Sequence, residues 1–284
     1  MKTSYILLPA FVLVMLLVVS LDFHRGLAYV AMGTAMAATS YIVYYKKLEF
    51  LAAGSTHSAL LATAVGLVVE HYAGVGYYLV SIPLGLLLVY VAGALTRKRG
   101  VSPEKASAII VSAASALAVI VVYYALTAIP ARLSLSALIL GDPLLLTRNE
   151  VYLALTISAL LLLCVTVIHR VVVELSVDPV SASLAGVHVE LYELLSYTVI
   201  GIASVGLLRL AGYVMEHVLL LLPAIVASAY AKSSKEHFVL TVLVGGFAAS
   251  LGYFAGLLFY TVPTGVTGLV LIFTLALKYL AGRG

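Results

Sequence analysis

Uninterrupted apolar runs of about 17 to 24 residues recur from end to end of this 284-residue chain, and they restrict its fold more than any motif does. At 1.5 Å of rise per residue, a helical run of that length crosses a hydrocarbon core of roughly 30 Å. Inside such a core every backbone N–H and C=O must be satisfied within the protein, which a helix does locally. With 63% hydrophobic and 10% charged residues, no stretch is left over for a water-soluble catalytic domain. The expectation is an all-α, polytopic transmembrane bundle of nine to ten spans forming a single membrane domain over residues 1–284.

The runs place spans at 5–21, 27–45, 50–69, 75–95, 105–126, 150–172, 191–211, 213–231, 238–260 and 263–281. Residues 130–146, punctuated by Pro and Gly, are too short to cross and read as a re-entrant or interfacial segment. Lys2, a short apolar core and Ser20 resemble a signal peptide, but a weak cleavage pattern and an immediate second span favour an uncleaved first span. Trp is absent and Tyr numerous, so Tyr must supply the interfacial belt. Cys164, alone among Leu and Val in mid-span, reads as a small buried hydrophobe; no disulfide framework or thiolate metal cluster is available.

Basic residues set the orientation. With both termini in the cytoplasm, Lys2, Lys46, Lys47, Arg97, Lys98, Arg99, Lys105, Arg170, Lys232, Lys235, Lys278 and Arg283 lie inside, and only Arg25, Arg132, Arg148 and Arg209 outside. That asymmetry follows the positive-inside rule. The net charge of +4 then needs no nucleic acid: these residues are topogenic and face anionic membrane lipid.

One cytoplasmic interval, Glu174 to Glu193, is neither apolar enough to cross nor polar enough to be a plain loop. Asp178 suits an N-cap, Pro179 the first helical position, where its missing N–H costs nothing, and Gly186 the end of the turn. So short a helix is unstable alone in water and needs something to dock against.

Charges inside the apolar runs are few and therefore informative. His57 lies about seven residues into the third span, among Ala52, Ala53, Gly54, Ser55, Ser58 and Ala59, whose small side chains let helices approach closely. It is either a neutral imidazole bonded to a facing carbonyl or hydroxyl, or a ligand for a divalent transition metal. Glu216 and His217 open the ninth run, with Pro223 bending the helix beyond them. They either sit at the outer interface and snorkel or reach inward as ligands. Glu70 and His71, at the outer end of the third span, are placed to attract cations to an outer mouth. Enzyme signatures are missing: there is no H-E-x-x-H, no Gly-rich loop ending in Gly-Lys-Ser/Thr, and Leu140-Gly141-Asp142 lacks the extra Gly of an intramembrane aspartyl protease.

Several blocks in order resemble a family. KKLEFLAAGSTHSALLATAVG (Lys46 to Gly66), VDPVSASLAGV (Val177 to Val187), LLLLPAIVASAYA (Leu219 to Ala231) and FYTVPTGVTGLVL (Phe259 to Leu271) are similar to segments of the permease subunit of metal-ion ABC importers for zinc, manganese or iron. The resemblance runs from Lys46 onward, with residues 1–45 an N-terminal addition. It implies that His57 is a metal ligand and that Asp178, Pro179, Ala182 and Gly186 belong to a coupling helix seated in a groove of an ATP-binding cassette subunit. It further implies an extracellular metal-binding solute-binding protein, a homodimer, and a divalent metal ion as transported substrate rather than as a permanently bound cofactor. Two departures stand out: where the family carries Asp, this chain has Ala53, four residues before His57, and Thr261, before the final Pro turn. Loss of two carboxylates disfavours an oxygen-rich manganese geometry and favours imidazole, so Glu216 and His217 are expected to replace them. The alternative class, a secondary metal transporter driven by an ion gradient, calls for more intramembrane carboxylates and a symmetric pair of broken helices.

Overall fold

A computed structural model describes residues 2–96, 102–129 and 143–281. Eleven α-helices follow in order among the described residues: α1 (Lys2–Leu21), α2 (Phe23–Lys46), α3 (Glu49–Ala73), α4 (Tyr77–Thr96), α5 (Pro103–Ala128), α6 (Arg148–Val177), α7 (Pro179–Leu184), α8 (Val189–Ala211), α9 (Tyr213–Ser228), α10 (Ser234–Phe259) and α11 (Pro263–Ala281), with one 3₁₀ turn at Pro143–Leu145. Eight of them are long and apolar enough to span a membrane; α1 and α9 contribute shorter apolar helices, Leu7–Leu21 and Tyr213–Ser228. The chain is a multi-pass helical membrane protein. Of the segment read as re-entrant, residues 130–142 lie outside the described residues, and its end forms the 3₁₀ turn.

Lipid tails are as apolar as leucine, so helices associate here through close packing and shared hydrogen bonds. α2 shows both. Small residues let it meet α10 almost backbone to backbone: a Cβ added to Gly33 would fall 2.4 Å from the Ala249 Cβ, and one on Gly245 2.2 Å from the Ala37 Cβ. α2 also packs on α6 and α9, and with α8 and α10 these helices form the main apolar core. A second lobe, α3, α4 and α5, joins that core through α8 and α9. α1 lies outside on α10 and α2, turning Leu13 and Leu16 outward.

Polar side chains staple helices together. Tyr29 Oη and Thr267 Oγ1 are 3.1 Å apart, Tyr253 Oη donates to Asp22 (2.9 Å), and Arg25 Nε donates to the Leu146 carbonyl (2.9 Å). The tyrosines thus divide. Tyr72, Tyr123, Tyr152 and Tyr260 are exposed, as an interfacial belt requires, while Tyr29, Tyr41, Tyr77 and Tyr253 are fully buried. A buried Tyr brings apolar bulk plus one hydroxyl that needs a partner, which helix packing supplies.

Two helix lengths set the depth of the polar residues. α6 has 30 residues, about 45 Å, longer than the roughly 30 Å hydrocarbon core, and it leads directly into α7. α9 has only 16, about 24 Å, so it cannot reach both surfaces. Its start is inside the bundle: Ala211 and Met215 are fully buried, and the junction turns on Gly212 at φ 86° and ψ 155°, a backbone region open only to glycine.

Candidate functional site

The internal start of α9 brings Tyr213 and His217, one helical turn apart, against the inner face of α3. The His57 ring is held from two sides: Nδ1 is 2.9 Å from Ser115 Oγ on α5, and Nε2 is 3.2 Å from the Tyr213 hydroxyl. The Tyr213 ring meets His57 edge-on at 5.7 Å and stacks on His217 at 6.0 Å, so the phenol lies between two imidazoles. His217 Nδ1 is 3.3 Å from Thr56 Oγ1. Thr56 spends its one hydroxyl hydrogen on the Ala53 carbonyl at 2.7 Å, so toward His217 it can only accept. The Nδ1–H of His217 is therefore the donor, and in the neutral ring Nε2 is left with a free lone pair.

Glu216 points elsewhere. It is fully buried, its carboxyl lies beside Ser204 on α8, and neither oxygen has a partner at hydrogen-bonding geometry. Ser204 itself is 2.7 Å from Ser55 on α3. Glu216 thus reaches inward, while His217 is half-buried and meets Thr56 on α3. The structure gathers His57, Tyr213 and His217 around one seam between α3, α5 and α9, with Glu216 on the adjoining α8 face. Among the described residues no three His, Cys, Asp or Glu side chains converge as a ready metal site. The seam is a closed, hydroxyl-capped arrangement.

The other sequence candidates sit apart. Ala53 contributes only its carbonyl, and Thr261 is exposed in the α10–α11 turn. Glu70 and His71 are exposed at the end of α3; Glu70 accepts from the Tyr77 N–H at 3.3 Å and so ties the α3–α4 turn, while His71 packs edge-on against Tyr72 at 4.8 Å. Cys164 is a free, partly buried thiol.

At the opposite end α7 is built as its residues dictate. Asp178 caps it, accepting from the N–H groups of Val180 (3.1 Å) and Ser181 (3.0 Å) and from the Ser181 hydroxyl. These bonds, the Ser181 hydroxyl foremost, hold the Asp178 carboxyl below the usual carboxylate range. Pro179 is the first helical residue, the Ala182 carbonyl accepts from Val187 N–H at 3.0 Å, and Gly186 closes the end at φ 88°. No residue of α7 is buried; Val180 is 67% and Leu184 85% exposed. α7 is thus a capped six-residue helix that leaves large apolar side chains uncovered.

Several important residues gave no signal in the sequence. His237 sits beside Pro223 of α9: Nε2 donates to the Ala224 carbonyl (2.8 Å), leaving Nδ1 to accept from Tyr45 (3.2 Å), while Ser40 Oγ accepts from Ala224 N–H (3.1 Å). Tyr213 was legible in principle, standing four residues before His217 and directly after a glycine. Ser115 and Thr56 were not, since nothing in their own segments marks which face meets α9.

The described chain is a many-span membrane protein whose helices enclose a seam of imidazoles and hydroxyls and carry a short, exposed helix between two spans. The chain belongs to the ABC 3 transport family, whose family model matches residues 23–282. The match includes α2, so of the described helices only α1 precedes it. The chain is 22% identical over 239 residues to the manganese import system permease protein ScaB of Streptococcus gordonii, covering 83% of each chain. It is 21% identical to the manganese transport system membrane protein MntC of Halalkalibacterium halodurans, covering 75% of this chain and 72% of that one. Among solved structures, PsaBC from Streptococcus pneumoniae in complex with Fab shares the fold, with a TM-score of 0.77 at 20% identity over 92% of this chain and 93% of that one.

Proposed function

We propose that this chain is the membrane-spanning permease of an ABC importer for a divalent transition-metal ion, and that the ion passes along the α3–α5–α9 seam through His57 and His217. The observation that carries this reading is the pairing of His57 and His217 across Tyr213: two imidazoles at one seam, one with a nitrogen already free to ligate. Imidazole suits the later divalent metals, and the absence of carboxylates at Ala53 and Thr261 supports a softer, nitrogen-richer site than manganese prefers. Glu216 supplies a carboxylate when α9 shifts against α8. The manganese permeases named above favour the same class of cargo.

The chain brings no energy source, so an ATP-binding cassette subunit drives the cycle, gripping α7 by Val180 and Leu184. An extracellular solute-binding protein delivers the ion on the side of Glu70 and His71, and two copies of the chain form the permease. ATP-driven closure of the cassettes pulls on the Asp178 caps and biases the bundle between outward and inward arrangements. The chain performs no chemistry of its own.

The test is metal uptake into proteoliposomes holding the chain with its ATP-binding subunit. Uptake is expected to require ATP and to be abolished by His57→Ala and by the Glu216→Ala/His217→Ala pair. Uptake without nucleotide would instead mean gradient-driven carriage, and full uptake in the double variant would remove α9 from the ion's path.

A further inference from the structure

A pocket of about 250 Å³ opens at the end of the bundle that carries α7, lined by Tyr41 of α2, His169, Arg170, Val173 and Glu174 of α6, and Ser234 and Lys235 of α10. It shares no residue with the seam of His57, Tyr213 and His217. Its walls are fixed: the Tyr41 hydroxyl donates to the Ser234 carbonyl at 3.0 Å, and the His169 ring stacks flat on Phe238 at 4.3 Å. His169 Nδ1 is spent on the Thr166 carbonyl at 2.7 Å, leaving Nε2 uncommitted.

The two cations of the pocket are unused. Arg170 and Lys235 are exposed, and neither makes an ion pair or side-chain hydrogen bond among the described residues. Glu174 lines the same pocket without pairing to either, so the rim carries a net positive charge. An unpaired guanidinium held beside an ammonium suits a phosphate, which Arg binds through two parallel hydrogen bonds and Lys as a point charge.

The surface that continues from the pocket identifies the owner of that phosphate. On α6, Leu160, Leu163 and Val167 are 61%, 64% and 69% exposed and share one face with Arg170. They form an apolar strip about 15 Å long leading from the pocket toward the middle of the membrane. A volume below the ~300 Å³ at which drug-sized sites begin admits a headgroup and no more, leaving the chains to lie outside along the strip. Basic pockets between spanning helices on the cytoplasmic side hold anionic headgroups.

We propose that this pocket binds one anionic glycerophospholipid, its phosphate between Arg170 and Lys235 and an acyl chain along Leu160, Leu163 and Val167. The lipid bridges α6, which leads into α7, and α10, and so braces the helix that carries the docking segment.

Native mass spectrometry of the full chain in neutral detergent, titrated with phosphatidylglycerol or with phosphatidylcholine, tests this. One phosphatidylglycerol per chain is expected to be retained in preference to phosphatidylcholine. Affinity should weaken roughly fivefold with Arg170→Gln or Lys235→Gln and about 30-fold with both. Lys105→Gln, an exposed cation at the start of α5, should leave it unchanged, and the charge-keeping Arg170→Lys/Lys235→Arg pair should retain most of it, which separates lost charge from lost fold. Equal retention of both lipids, or full retention by the double Gln variant, overturns the proposal. Displacement of the lipid by equimolar glycerol phosphate overturns it as a lipid site and leaves a soluble phosphate as the ligand.

Discussion

Replacing Tyr213 with Phe deletes one hydroxyl and little else. The ring still meets His57 edge-on and still stacks on His217, since both contacts belong to the aromatic face and edge. The loss is confined to the 3.2 Å bond that occupies His57 Nε2. That bond must break before Nε2 can take an ion, so its free energy is subtracted from the affinity of the closed seam. A hydrogen bond of this kind contributes about 0.5 to 1.5 kcal/mol net. Removing it should therefore tighten apparent binding about twofold to thirteenfold, the competent state being more populated. The assay is a Co²⁺ titration of the purified chain in detergent, followed by its visible absorption, with wild type, Tyr213→Phe and Ser115→Ala in parallel. Ser115→Ala serves as the comparator because it frees Nδ1 instead, and the larger gain identifies the ligating nitrogen. Weaker binding by Tyr213→Phe would refute the reasoning, because it would make the phenol a ligand where it has been argued to be a cap.

Packing and capping give four more expected outcomes. Gly252→Ala sets a Cβ 2.6 Å from the Pro263 carbonyl and 2.1 Å from Thr267 Oγ1, so it should cost about 1–3 kcal/mol, read as a lower melting temperature in detergent. His237→Ala strips the Ala224 carbonyl of its buried donor; a loss of about 1–3 kcal/mol is expected in the same melt. Leu184→Glu puts a charge on an exposed position of α7, so co-purification of the ATP-binding subunit should fail while the melting temperature holds. Because the Asp178 carboxyl sits below its usual range, its cap is intact above the ordinary Asp value of about 3.9 and is lost only as pH falls through the depressed value. Amide-exchange protection of Val180 and Ser181 should accordingly survive at the ordinary Asp value and be lost only at lower pH, and its loss at higher pH would contradict the assigned hydrogen bonds.

The helices were legible because the bilayer reduces the problem to length and apolarity. The spans read at 27–45 and 50–69 became Phe23–Lys46 and Glu49–Ala73. α7 was legible because Asp, Pro and Gly each occupy a position that suits few other residues. The seam was legible only in part. His57 and His217 are conspicuous as polar residues in apolar runs, but nothing local indicates that α9 starts inside the bundle. That depends on the turn at Gly212 and on α8, which position the α9 N-terminus among other helices. The same fact explains the divergence of Glu216 from His217: adjacent residues on a helix point about 100° apart, so one faces α8 and the other α3. Tyr41 and Tyr253 were hidden for a different reason. Membership of the belt depends on depth in the bundle, which the residue type does not reveal.

The seam of small residues between α2 and α10 has a mechanical consequence. Where Gly33 faces Ala249 and Gly245 faces Ala37, there is no long side chain to bend or re-pack and no gap to close. Two rods in such contact can neither roll nor slide without collision, so they travel as a single keel. The joint where α3 meets α9 is of another kind, made through the hydroxyls of Tyr213 and Thr56, which can exchange partners at little cost.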